Sequence, residues 1–144
     1  MKFTLIIDEH RPEEVVVTAR KRSDLTDKIE ALVCSADKRL LAYLEDETVM
    51  LDMDGIVCIT VQDGKTYAFD TKNQRYRLKL RLYEVENQLP TGFIRINKSA
   101  IANEKHILRF HAGFSGAVDA VFRGGYTEYV SRRCFAAIKR RYEK

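Results

Sequence analysis

No stretch of this sequence approaches the roughly 18 consecutive apolar residues that a membrane-crossing helix needs. The opening Met1–Ile7 is short and is stopped by Asp8 and Glu9, which is not the pattern of a secretory signal. The expectation is a cytoplasmic chain. Cysteine is scarce: Cys34, Cys58 and Cys134 are odd in number and far apart, which fits buried thiols in a reducing compartment better than a disulfide framework. No proline- or serine-rich stretch marks a linker, and no internal repeat is present. The histidines are His10, His106 and His111, and none stands at zinc-ligand spacing from a cysteine or another histidine. No phosphate-binding glycine loop, nucleophile elbow or HExxH occurs. The acidic pairs Glu13-Glu14 and Asp52/Asp54 lie in surface-like surroundings. No metal, cofactor or enzymatic activity is expected.

What is present is an ordinary globular composition with an uneven charge. Of 144 residues, 45% are hydrophobic and 32% charged, enough apolar material for a core and too much for a disordered chain. The net charge of +4 conceals two parts. Residues 1–54 carry 8 Lys/Arg against 13 Asp/Glu, a balance of −5, whereas residues 55–144 carry 17 against 8, a balance of +9. This suggests an acidic unit at 1–54, and a basic domain at 55–144 that meets a polyanion. Unequal halves arising by chance are the alternative.

In the first part, residues 2–7 and 15–19 read as strands around a turn at 8–12. Ser23 can cap a helix from Asp24 to Cys34, with Leu25, Ile29, Leu32 and Val33 at helical spacing. Short strands follow at 40–44 and 48–51. This small α+β unit holds little core and should pack on something, either the rest of the chain or a second copy. From Gly55 the texture becomes β. Ile56–Val61 is a buried-type strand, and Asp63-Gly64 is a hairpin turn returning as Thr66–Asp70. Residues 75–82 alternate basic and apolar, which in a strand puts Arg75, Arg77, Lys79 and Arg81 on one face. That face is either solvated or turned to phosphates. A short helix at 82–89 ends before Pro90, a strand covers 93–96, and 98–103 reads as irregular. Strands are expected at 107–110, 117–122 and 126–130, with a turn at Gly124-Gly125. Ser131 can cap a last helix with Phe135, Ile138 and Tyr142 on one face. The fold class is mostly β, α+β overall.

Several of these segments together resemble the LytTR family of bacterial DNA-binding domains. They are Ile56–Val61; Tyr76-Arg77-Leu78 with Leu82–Leu89; Phe93–Asn103; and Tyr129-Val130-Ser131-Arg132-Arg133 with Ile138-Lys139. The family pattern F-x-R-x-x-x-S-x-x-x-N is met at Phe93, Arg95, Ser99 and Asn103. The order and spacing hold across some 90 residues. The whole chain looks like the short members without a receiver domain, often encoded beside a small membrane protein.

The resemblance implies a transcription regulator in which loops and the start of the last helix enter the DNA major groove. It implies base reading by Lys65, Lys98 and Arg133. The sequence departs here from residues frequent in the family: Lys65 replaces a common His, and Lys98 replaces Asn or Arg. Lys and Arg favour guanine O6 and N7, so the operator should be richer in G. Asn97, Ser99, Lys72, Arg132, Lys139 and Arg140 are candidates for phosphate contacts or positioning. Asn103 reads as structural, satisfying buried backbone groups. Operators in the family are typically paired direct repeats, which implies a homodimer, with residues 1–54 as the dimerisation element. A protein-interaction adaptor that kept the fold without DNA binding is the alternative. RNA binding is disfavoured by the lack of an aromatic stacking platform.

Overall fold

The computed structural model describes residues 2–35, 39–113 and 115–143. Helix α1 (Asp24–Ser35) precedes five strands: β1 (Arg39–Leu44), β2 (Glu47–Asp52), β3 (Ile56–Gln62), β4 (Lys65–Asp70) and β5 (Arg75–Leu78). The short helix α2 (Leu82–Glu86) leads to β6 (Phe93–Asn97), β7 (Ala100–Asn103), β8 (Ile107–Ala112), β9 (Val118–Phe122) and β10 (Thr127–Val130), and α3 (Arg132–Tyr142) closes the chain. The protein is therefore mostly β with a few short helices. A seven-stranded sheet has the order β2-β1-β5-β4-β3-β7-β6, and β10-β9-β8 form a second sheet. Every pairing is antiparallel.

Strand β3 lies in the interior of the sheet, between β4 and β7, and is apolar on both faces. A bulge between Ile56 and Cys58 breaks the alternation, so that the adjacent Val57 and Cys58 share one core while Ile56 and Ile59 join the other. On one face, Ile56 and Ile59 pack with Leu40, Ala42, Leu78, Ile101 and, from α2, Leu82 and Val85. On the other, Val57 and Cys58 pack with Phe69, Ile96 and, from the second sheet and α3, Phe122, Val130 and Ile138. Each such aliphatic side chain contributes about 1.5–3 kcal/mol by leaving water. The sheet runs across the 54/55 division suggested by charge. Strand β1 pairs with β5 at Tyr43 and Arg77, and Leu40, Ala42 and Leu51 belong to the first core.

Three sequence expectations need correction. Residues 2–7 and 15–19 form no strands: the turn exists, with Arg11 N–H donating to the Asp8 carbonyl at 3.3 Å, but Phe3 is 85% and Val16 74% exposed, with no ladder partner among the described residues. The stretch 98–103 is not irregular throughout, because Ala100–Asn103 is a fully buried strand between β3 and β6. The basic strand ends at Leu78 rather than 82. The backbone N–H of Arg81 donates to Glu84 Oε1 at 3.0 Å, which starts α2 and carries Leu82 into the core.

Candidate nucleic-acid interface

The strand registers define two ends of the molecule. In the β3–β4 hairpin Gln62 stands opposite Lys65 across a turn at Asp63 (φ 52°) and Gly64 (φ 74°), the left-handed geometry a two-residue hairpin requires. The β6–β7 turn lies beside this hairpin, since the Val61 N–H donates to the Ser99 carbonyl at 2.8 Å. The entry to α3 is pinned to the same place: Ser131 N–H donates to the Ile96 carbonyl at 2.8 Å, at the bulge where β6 slips register against β7. Three distant segments thus meet at one end and bring Lys65, Lys98, Ser99, Arg132 and Arg133 to a common exposed surface. Among the described residues, Lys65, Lys98 and Arg133 have no carboxylate partner within salt-bridge distance.

The β6–β7 turn is braced from inside. Arg95, noted in the sequence only as part of a pattern, donates from Nε to Glu86 Oε2 and from Nη1 to the Lys98 carbonyl, each at 2.8 Å. Asn97 Oδ1 accepts the Ser99 N–H at 2.7 Å, while its Nδ2 donates to the Tyr129 carbonyl at 2.6 Å and Glu128 Oε2 at 3.4 Å. The amide of Asn97 is therefore committed to holding the turn against β10. Glu128 also accepts from the Tyr126 hydroxyl at 2.7 Å, and Tyr126 stacks on Phe69 with ring centroids 4.0 Å apart. Burial and the Glu128 carboxylate push the Tyr126 phenol well above its usual range, so it remains a neutral donor. Sequence reading missed Arg95, Glu128 and Tyr126 as positioning residues: Glu128 meets Asn97, and Tyr126 meets Phe69, only through the fold, and the short-range Arg95–Lys98 contact depends on the turn geometry. Asn103 is 4% exposed and donates to the Ile56 carbonyl at 2.9 Å, the structural role expected of it.

Other candidates lie elsewhere. Lys72 sits in the β4–β5 turn, at the far end of β4 from Lys65, and does not join this surface. Lys139 and Arg140 are on α3, about 9 Å and more along the axis from Arg133. Lys139 lies 3.8 Å from Glu143, and Arg140 turns back to the Ala136 carbonyl. The α3 cap is as expected, with Ser131 Oγ accepting the Cys134 N–H at 3.2 Å. The expected row of four cations is divided: Arg75 and Arg77 lie over the Tyr67 ring, at 4.2 and 5.9 Å, while Lys79 lies over Tyr43. Cys58 is fully buried and its thiol is pushed well above the usual range by burial, which makes it unreactive. Cys134 is half-buried, and the Cys34 side chain lies outside the described residues.

Residues 46–143 match the model of the LytTr DNA-binding domain. The chain belongs to the LytTR family. The match begins inside the β1–β2 hairpin, so the LytTR region includes β2 as well as the basic part. A protein of Staphylococcus aureus strain NCTC 8325, named an uncharacterized HTH-type transcriptional regulator, is 33% identical over 98% of this chain and 97% of its own. Relatives of the same description in strains COL and MW2 are equally similar. A solved LytTr DNA-binding domain of a methyl-accepting/DNA response regulator from Bacillus cereus shares the fold, with a TM-score of 0.63 and 21% identity over 72% of this chain and 95% of that one. Among the described residues, five strands separate α2 from α3 along the chain.

Proposed function

We propose that this protein is a sequence-specific, double-stranded DNA-binding transcriptional regulator, without enzymatic activity, acting in the cytoplasm. The observation that carries the reading is the convergence of Lys65, Lys98 and Arg133, from three separate segments, on one exposed end. Each sits on a backbone tied to the sheets, so the three move as a unit. A hairpin turn, a tight turn and a helix start are narrow enough to enter a major groove about 12 Å wide. The N-terminus of α3 adds partial positive charge beside Arg132, suiting a phosphate. Arg133 can take guanine O6 and N7 bidentately, and Lys65 and Lys98 favour the same acceptors. Ser99 and Arg132 serve the flanking phosphates, with Lys139 and Arg140 reaching DNA only if it bends along α3. We further propose that the protein acts as a homodimer on paired direct repeats, and that a small membrane protein encoded nearby is its regulatory partner.

The test is fluorescence anisotropy with a labelled duplex from the promoter of the protein's own operon, against scrambled DNA, across salt. The wild type should prefer the promoter. Arg133→Ala should lose about 1–3 kcal/mol of that preference while salt-dependent binding to scrambled DNA persists. No preference for any duplex selected from a random pool would sink the reading and favour a protein-interaction adaptor.

A further inference from the structure

Strand β5 and the residue that follows it carry three cations on one face of the seven-stranded sheet. The strand runs between β4 and β1, with Arg77 opposite both Tyr67 and Tyr43. Because Thr66 pairs with Leu78, Lys79 comes level with Lys65, at the end that bears the candidate interface. Aromatic rings hold these cations in place. The Arg75 guanidinium lies 4.2 Å and that of Arg77 5.9 Å from the centre of the Tyr67 ring, and the Lys79 ammonium lies 4.3 Å from that of Tyr43. Arg75 Nη1 also donates to Gln62 Oε1 at 3.1 Å. Gln62 stands opposite Lys65 in the last pair before the hairpin turn, so this bond draws the guanidinium toward that end. A ring fixes the position of a cation without neutralising it. Among the described residues, no carboxylate lies within salt-bridge distance of Arg75, Arg77 or Lys79.

We infer that Arg75 and Lys79 bind phosphates of the duplex on the β5 side of the groove that Lys65 enters. This rests on the DNA-binding reading above and extends its surface. A row of strand cations ordinarily shields an open sheet edge, but β5 is interior and has no edge to shield. From β5 to β6, where the entry to α3 is pinned, the order β5-β4-β3-β7-β6 spans roughly 19 Å at about 4.8 Å per strand. That exceeds the roughly 12 Å width of the major groove. Cations at the two margins, Arg75 and Lys79 on one and Arg132 on the other, therefore stand over the backbones that wall the groove, with Lys65 and Lys98 between them. Arg75 uses one of its five N–H donors on Gln62, and the rest can take a phosphate bidentately. Arg77 is half-buried and its Nε donates to the Leu78 carbonyl at 3.0 Å, so it stays out of the contact. The strip is continuous with Lys65, which favours the same polyanion over a separate acidic partner.

Anisotropy across salt tests this with the full chain, on the promoter duplex and on scrambled DNA. Arg75→Gln/Lys79→Gln removes two charges and should lower the slope of log affinity against log salt by roughly 1.8, equally on both duplexes. Arg75→Lys/Lys79→Arg keeps both charges and should keep the slope. Ethylation of single phosphates should reveal positions where the modification weakens the wild type but not Arg75→Gln/Lys79→Gln. An unchanged slope in the glutamine variant, while the wild type binds, would overturn the proposal and leave the face to solvent or to an acidic protein partner. An equal loss in the charge-conserving variant would overturn it by marking a structural role, and a loss confined to the promoter duplex would do so by marking base reading. A wild type with no salt-dependent affinity for either duplex would overturn the DNA reading itself, and this surface with it.

Discussion

At the scale of single residues, Asn97 distinguishes positioning from contact. Its amide links the Lys98 turn to β10 through two short hydrogen bonds. Replacing it with alanine removes both, at about 1 kcal/mol each. Asn97→Ala should therefore lower stability by about 1–2 kcal/mol in denaturant melts. It should also weaken binding to the operator while binding to scrambled DNA stays as it was. An equal loss on both duplexes would instead mark a phosphate contact. His106 offers a separate test by pH. The residue is 6% exposed and Nε2 lies 2.7 Å from the Asp54 carbonyl, while Nδ1 is buried without a partner among the described residues. Burial, then the Lys105 and Arg123 charges, lowers its pKa from the ordinary 6.5. The unfolded chain thus takes up a proton that the folded one resists, so the histidine's contribution to stability is complete above about pH 6.5 and declines as pH falls below it. Melting curves between pH 8 and 5 should show a loss at the acid side that is smaller in His106→Gln. Identical slopes for the two proteins would contradict this.

At the scale of elements, the turns near the two ends differ in how visible they are from sequence. Asp63-Gly64 is legible because the geometry it needs is local, and Ser131 because a cap acts within three residues. Gly124 is recognisable as a turn but not as a contact. It holds φ at 90°, and a Cβ there would collide with the Thr71 carbonyl oxygen of the β4–β5 turn. Gly124→Ala combines backbone strain with a backbone clash and should lose about 2–3 kcal/mol. Gly125→Ala, also at positive φ but in open space, should lose less. Chemical denaturation of the two variants makes the comparison, and equal losses would show that the clash is relieved. The strand Ala100–Asn103 was not legible. Alanine and asparagine have little strand preference, and the small side chains suit a position between β3 and β6 that only the folded sheet creates. The opposite error occurred at 2–7 and 15–19, where β-branched residues have the preference and lack the partner. Of the candidate site, Lys65, Lys98 and Arg133 were named by their place in the family pattern, and their convergence depends on hydrogen bonds between segments more than 30 residues apart.

At the scale of the whole molecule, an acidic turn and the candidate interface stand at opposite ends of the strands. The β1–β2 turn, Glu45-Asp46-Glu47, lies at the end away from Lys98, as the antiparallel pairing of Tyr43 with Arg77 requires. An acidic turn repels a polyanion. This makes the salt dependence of binding a map of which end faces DNA. Each phosphate neutralised should add about 0.9 to the slope of log affinity against log salt. Arg132→Ala should reduce that slope by about one contact, without changing the preferred sequence. Lys72→Ala is the control. It lies beyond the far end of the six-residue β4, which Lys65 begins, about 17–20 Å away in a strand, which exceeds the roughly 8 Å screening length at physiological salt. Its slope should match the wild type. If Lys72→Ala lowers the slope and Arg132→Ala does not, DNA lies against the other end, and the base-reading roles of Lys65, Lys98 and Arg133 fail together.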